Sequence, residues 1–159
     1  IILSVANVSE VYFYHVTKQT VASALPQLLA KSIDVGWTVF IRGKDDESLK
    51  LFDDTIWTAQ PESFIPHAVI GSQNEQKCDI LLGTEENDSS NSDFLITVNG
   101  ALISKEEISS YKRCALLFDD KNSDEMDIAR EQWIEFSKAD IRAKYWSQET
   151  GVWSLKREN

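Results

Sequence analysis

SEVYFYHVTKQTVASALPQLLAKSIDVGWTVFIR, Ser9 to Arg42, decides the fold class because it reads as strand, helix and strand in one run. SEVYFYHV (Ser9–Val16) and WTVFIR (Trp37–Arg42) are rich in aromatic and β-branched residues, which suit a pleated, buried backbone. Between them Thr20 can cap a helix, Val21, Leu25, Leu28 and Leu29 recur at helical spacing, and Gly36 follows its end. Pro26 lies within that pattern, where its missing amide donor predicts a bend or a shifted start. KDDESLKLFDDTIW (Lys44–Trp57) then places Leu49, Phe52 and Ile56 on one face and acidic residues on the other, a second helix ending at Trp57. The order so far is β-α-β-α.

Further along, IPHAVI (Ile65–Ile70), DILLGT (Asp79–Thr84), DFLITV (Asp93–Val98) and CALLFD (Cys114–Asp119) are short apolar runs. Continuous rather than alternating apolarity predicts strands covered on both faces by helices. A short helix is expected around Ser104–Tyr111. The longest runs from Asp124 to Ala143, opened by Ser123 and carrying Asp124, Glu125 and Asp127 in its first turn, where the helix dipole favours them. Residues 85–92 form a polar, mobile loop, and residues 1–8 are expected to be loosely ordered. In KYWSQETGVWSLK, Thr150-Gly151 suggests a hairpin or an extended tail, and residues 144–159 are taken as an extended C-terminal tail. Alternating strands and helices predict an α/β fold: one domain over residues 1–159, a layered sheet with helices on both faces.

Composition narrows the function. At 159 residues the chain has the length of one ordinary domain, and 42% hydrophobic with 26% charged residues is a globular balance. No apolar run is long enough to span a membrane, and the opening IILSVANVSE lacks the features of a signal peptide, so a cytoplasmic location without membrane contact is expected. The formal net charge of −10 repels phosphate backbones at long range and favours a protein partner.

Catalytic signatures are sparse. The six glycines never cluster into a phosphate-binding loop, so nucleotide binding is disfavoured. His15 and His67 are the only histidines, too few for most triads or metal sites without an unidentified third group. Cys78 and Cys114 are most simply buried thiols, with a Cys114–His67 or Cys78–His67 pair as the alternative. The doublets Asp45-Asp46, Asp53-Asp54 and Asp119-Asp120 read as solvated faces rather than paired catalytic carboxylates. No cofactor, metal or catalytic residue is expected.

WTAQPESFIPH (Trp57–His67) stands out: Pro61 and Pro66 bracket Phe64 in a stiff, non-helical segment next to Trp57. Taken alone it is either a cap on the core or an aromatic anchor for a partner. LFDDTIWTAQPESFIPH, together with VYFYHV, ALPQLL, GWTVFIR, ALLFDD and IAREQWIEF, closely resembles the chi subunit family of bacterial DNA polymerase III holoenzyme, over most of the chain. The most specific parts are the Trp57–His67 block and the Ala129-Arg130-Glu131 helix.

The resemblance implies a mononucleotide-binding-like fold without a phosphate loop and a non-catalytic accessory subunit of the clamp-loader assembly. It implies a link to single-stranded DNA-binding protein through that protein's acidic, apolar-ended C-terminal tail, with DNA contact indirect, in the bacterial cytoplasm at the nucleoid-associated replisome. Arg130, Trp133 and Lys138 are the implied tail-binding residues. Trp57, Phe64, Pro66 and His67 match the surface that faces the psi subunit or a helicase. By spacing alone, Met126, Ala129, Trp133 and Phe136 form a core stripe and Arg130 is a solvated helix charge. Relatives often carry basic residues where this chain has Ile134 and Ser137, for which Lys138, Arg142 and Lys144 are expected to compensate. Asp119 falls where the resemblance places an apolar pocket residue. The competing readings are a small α/β hydrolase-type enzyme using Cys and His, and a module binding nucleic acid directly.

Overall fold

The structure, a computed structural model, describes residues 9–59, 65–72, 75, 78–85, 87, 89–148 and 151–159. Among them are eight strands: β1 (Glu10–Val16), β2 (Val39–Arg42), β3 (His67–Val69), β4 (Ile80–Gly83), β5 (Phe94–Thr97), β6 (Arg113–Asp119), β7 (Ala143–Ser147) and β8 (Ser154–Glu158). Three α-helices accompany them: α1 (Val21–Asp34), α2 (Asp46–Ala59) and α3 (Ser123–Lys138). All strands join one sheet in the order β3-β4-β2-β5-β6-β1-β7-β8, parallel throughout except for the antiparallel β8. The expected α/β architecture, a layered sheet with helices on both faces, is the one observed.

Alternation along β1 divides the core. Val16 packs on one face with Val21, Leu25 and Leu29 of α1 and Leu49, Phe52 and Ile56 of α2, and Tyr12 and Tyr14 lie against the same cluster. Val11 and Phe13 face the other way, toward Ala129 and Phe136 of α3. That period of two is what a strand imposes on its side chains.

Several boundaries differ from the expectations. Helix α1 runs through Pro26 from Val21 with no shifted start, because a capping box fixes its first turn: Thr20 Oγ1 accepts from the Ser23 amide and Ser23 Oγ from the Thr20 amide, both at 3.1 Å. Asn122, rather than Ser123, caps α3, its Oδ1 accepting from the Glu125 amide at 3.1 Å. Helix α3 stops at Lys138 instead of Ala143, since Asp140 turns left-handed (φ 56°) and releases the chain into β7. Around Ser104–Tyr111 the only helical piece is a 3-10 turn, Ile108–Ser110. The stretch read as an extended tail, 144–159, instead adds most of β7 and all of β8 to the sheet.

One polar cluster ties the connections after β4 and after β5 to the end of β2. Arg42, buried at the end of β2, donates to both oxygens of Glu107 (2.8 and 3.0 Å), to the Leu102 carbonyl (2.9 Å) and to Ser89 Oγ (3.0 Å). Tyr111 donates to Glu107 and hydrogen-bonds Ser89. Ser89, in the segment expected to be a mobile loop, is therefore buried and held by two partners. Burial alone would raise the Glu107 carboxyl, but the hydrogen bonds from Arg42 and from the Ser104 amide outweigh it and hold the group below the ordinary glutamate range. A carboxylate depressed on folding contributes stability above its unfolded pKa and loses that contribution as pH falls through the folded value. Arg42→Ala is expected to lower the unfolding free energy by about 3 kcal/mol at neutral pH, measured by urea titration, because it leaves Glu107 without its ion pair. Glu107→Gln should make the acid-side fall of the urea midpoint shallower than in the wild type below about pH 4.5, the unshifted glutamate value.

Candidate functional site

Helix α3 packs against β6 and reaches β7, and a groove of ≈ 390 Å³ lies between the helix and β8. Phe13, Phe118 and Tyr145 from the sheet and Met126, Ala129 and Trp133 from the helix form its apolar surface. The rings are interlocked: Trp133 meets Phe13 edge-on at 5.2 Å and Tyr145 edge-on at 6.4 Å. Tyr145 also hydrogen-bonds His15.

Three cations rim this floor: Arg130, Lys156 and Arg157. Arg130 is solvated and, among the described residues, its one ion pair is to Asp127 at 3.2 Å on its own helix, an exposed contact worth little. The Arg157 guanidinium sits 5.8 Å over the Trp133 ring. Strand alternation would send Lys156 and Arg157 to opposite faces. The pairing, however, jumps from Tyr145↔Arg157 to Trp146↔Leu155, so Lys156 is the extra residue of a β-bulge, and both side chains line the same groove. Among the described residues, no carboxylate lines it.

Of the residues expected here, Arg130 and Trp133 come together at the groove. Lys138 is exposed two turns further on, about 12 Å along the helix axis, and does not line it. Arg142 and Lys144, the expected compensating charges, point to Glu10 at 3.9 and 3.3 Å instead. Asp119 is likewise not in the pocket: alternation gives that place to Phe118, and the Asp119 carboxylate accepts from the Lys121 amide at 2.8 Å.

The second expected surface is split. Trp57 is 47% exposed at the end of α2, its ring 4.3 Å from that of His67. Pro66 is also exposed. His67 is only 2% exposed; its Nδ1–H donates to the Ile65 carbonyl (2.7 Å) and its Nε2 lies 3.1 Å from the Asp53 carboxylate. Its visible work is to hold the start of β3 against α2, beneath Trp57. Phe64 lies outside the described residues.

The catalytic alternatives find little geometry. Cys114 is buried in β6, where desolvation pushes its thiol up, and four strand steps separate β6 from β3, about 19 Å from His67. His15 is engaged by Tyr145 and, at 2.8 Å, by Asp120. Each acidic doublet has a structural use, since Asp45 caps α2 through the Ser48 amide (2.8 Å), Asp53 meets His67 and Asp120 meets His15. The described residues contain no cluster of three metal-ligating side chains. After β1, where a nucleotide-binding fold would offer loop amides to a phosphate, the Thr17 and Lys18 amides both donate to Gln148 Oε1 at 3.2 and 3.1 Å. The protein fills that position with its own side chain.

A family model for the DNA polymerase III chi subunit, HolC, matches residues 8–144. The chain belongs to the DNA polymerase III chi subunit family. Membership makes it an accessory subunit of the DNA polymerase III complex, acting in DNA replication. No curated protein matches the chain. The family match ends before β8, so Lys156 and Arg157 lie beyond it. They were also missed in the sequence, where the signal was the Thr150-Gly151 turn: read as a hairpin rather than a tail, it brings SLKRE back beside AKYWS. No helix is long and apolar enough to cross a membrane among the described residues. Gln148→Ala, which strips the acceptor from two part-buried loop amides, is expected to cost about 1 kcal/mol of stability by urea unfolding.

Proposed function

We propose that this chi-family chain is the non-catalytic adaptor that links the clamp-loader assembly of DNA polymerase III to single-stranded DNA-binding protein, in the bacterial cytoplasm. The groove between α3 and β8 takes the acidic, apolar-ended C-terminal tail of that protein. One observation carries the reading: in a chain of net charge −10, Arg130, Lys156 and Arg157 converge on an aromatic floor that no described carboxylate lines. A terminal apolar side chain fits against Phe13, Trp133 and Tyr145, while tail carboxylates meet the rim cations. Arg130 suits this task because its guanidinium presents a planar fork of donors matched to carboxylate oxygens.

Trp57 and Pro66 form the second docking surface in this reading, for the psi subunit or a helicase, with His67 setting the indole from below. The two surfaces are built on different helices, α3 and α2, so the chain can bridge two partners.

Titration of a fluorescent tail peptide is the direct test. Arg130→Ala should weaken binding at least about tenfold, the scale of losing hydrogen bonds to a charged group, and binding should weaken as salt rises. Full binding by the variant would place the tail elsewhere, and no binding by the wild type would remove the adaptor reading. Trp57→Ala, with its fold verified by circular dichroism, should weaken capture of psi or helicase and leave tail-peptide affinity unchanged. Loss of both would make Trp57 part of the core support.

A further inference from the structure

The opposite face of β1 and β7 carries a second cavity, ≈ 480 Å³, between those strands, α1 and the loop before β8. Its size lies in the range of small-ligand sites. Six rings line its walls: Tyr12, Tyr14, Trp37, Phe94, Trp146 and Trp153. Two cations, Arg113 and Lys31, also line it, and no described Asp or Glu does. The Arg113 guanidinium lies 4.3 Å from the Tyr12 ring centroid and 5.2 Å from that of Trp37. No carboxylate pairs with it among the described residues, and this planar cation rests on the two rings. A wall of rings and two cations with no carboxylate partner among the described residues together call for an occupant that brings flat π-faces and negative charge.

We propose that this cavity binds single-stranded nucleic acid, with a nucleobase stacked against Trp37 and adjacent phosphates on Arg113 and Lys31. Every base has a π-face, so such a site is tolerant of sequence. An acidic peptide would satisfy the cations, but its aliphatic side chains make poorer use of exposed ring faces than bases do. The net charge of −10 opposes a long-range approach to DNA, so the contact is weak and local. It lies across the sheet from the groove of Arg130 and does not depend on the function proposed for that groove.

The test is fluorescence anisotropy of a short labelled oligothymidylate against the full chain at low salt. Binding is expected, with log affinity falling against log salt at a slope of about −1.4, as two phosphate contacts on a single strand require. Trp37→Ala should weaken it about tenfold, the scale of one lost base–aromatic contact. Lys31→Ala, an exposed change that does not threaten folding, should reduce the slope to about −0.7. Arg130→Ala should leave it unchanged. Ultraviolet crosslinking, mapped by mass spectrometry, should mark Trp37. No binding at low salt, equal binding by Trp37→Ala and Lys31→Ala, or crosslinks confined to the α3 face would each overturn the proposal. So would displacement of the oligonucleotide from Arg130→Ala protein by an acidic peptide, which would make the cavity a protein-docking site, or by thymidine monophosphate at equal concentration, which would make it a mononucleotide site.

Discussion

β1 and β6 lie side by side in register from Glu10↔Arg113 to Val16↔Asp119, yet α1 follows the first onto one face of the sheet and α3 follows the second onto the other. In an open parallel sheet, that divergence opens a crevice at the carboxyl ends of the strands, where related folds bind ligands. Here the crevice is occupied from within. Gln148 takes the loop amides after β1, His15 reaches Asp120 after β6, and the Asp120 amide donates to the Val16 carbonyl at 3.0 Å. With that position closed, the two open grooves lie to the side, on opposite faces of β1 and β7.

Alternation then furnishes both faces. Along VYFYHV, Phe13 goes to the α3 side while Tyr12 and Tyr14 go to the α1 side, and along AKYWS, Tyr145 and Trp146 divide in the same way. Aromatic rings suit half-covered positions because they bury a large apolar area while their polar atoms stay near water or a partner. The Tyr14 hydroxyl shows the cost of going deeper, since burial raises its pKa to about 12. Two aromatic grooves back to back thus follow from one strand pair and the reach of two helices.

Local rules made most of the fold legible. The Thr20 cap, the apolar stripe of α1 and the β-branched character of β2 and β5 all point to the elements that form, because each is decided by neighbours within a few residues. The misses have a common cause. The left-handed turn at Asp140 that ends α3 serves β7, which exists only because β1 has an open edge a hundred and more residues earlier in the chain. The bulge at Lys156 is a property of the pairing between β7 and β8, and periodicity within either strand does not contain it. For the same reason Arg130 and Trp133 were legible as neighbours on one helix, whereas Lys156 and Arg157, which share the groove with them, were not.

Placing the rim cations on β8 rather than along α3 changes the electrostatics of the groove. Charges spaced along one helix act from one wall, and a bound acidic segment could turn its carboxylates away to solvent. Arg130 on the helix and Lys156 and Arg157 on the strand face each other across an apolar floor, so negative charge within the groove meets a cation on either side. At physiological ionic strength the screening length is about 8 Å. Carboxylates beyond that distance are therefore largely screened from an occupant, Asp127 beside Arg130 excepted, while cations in contact with it are not. A strongly acidic protein can hold an acidic partner under those conditions, because the local arrangement, rather than the net charge, acts at contact distance.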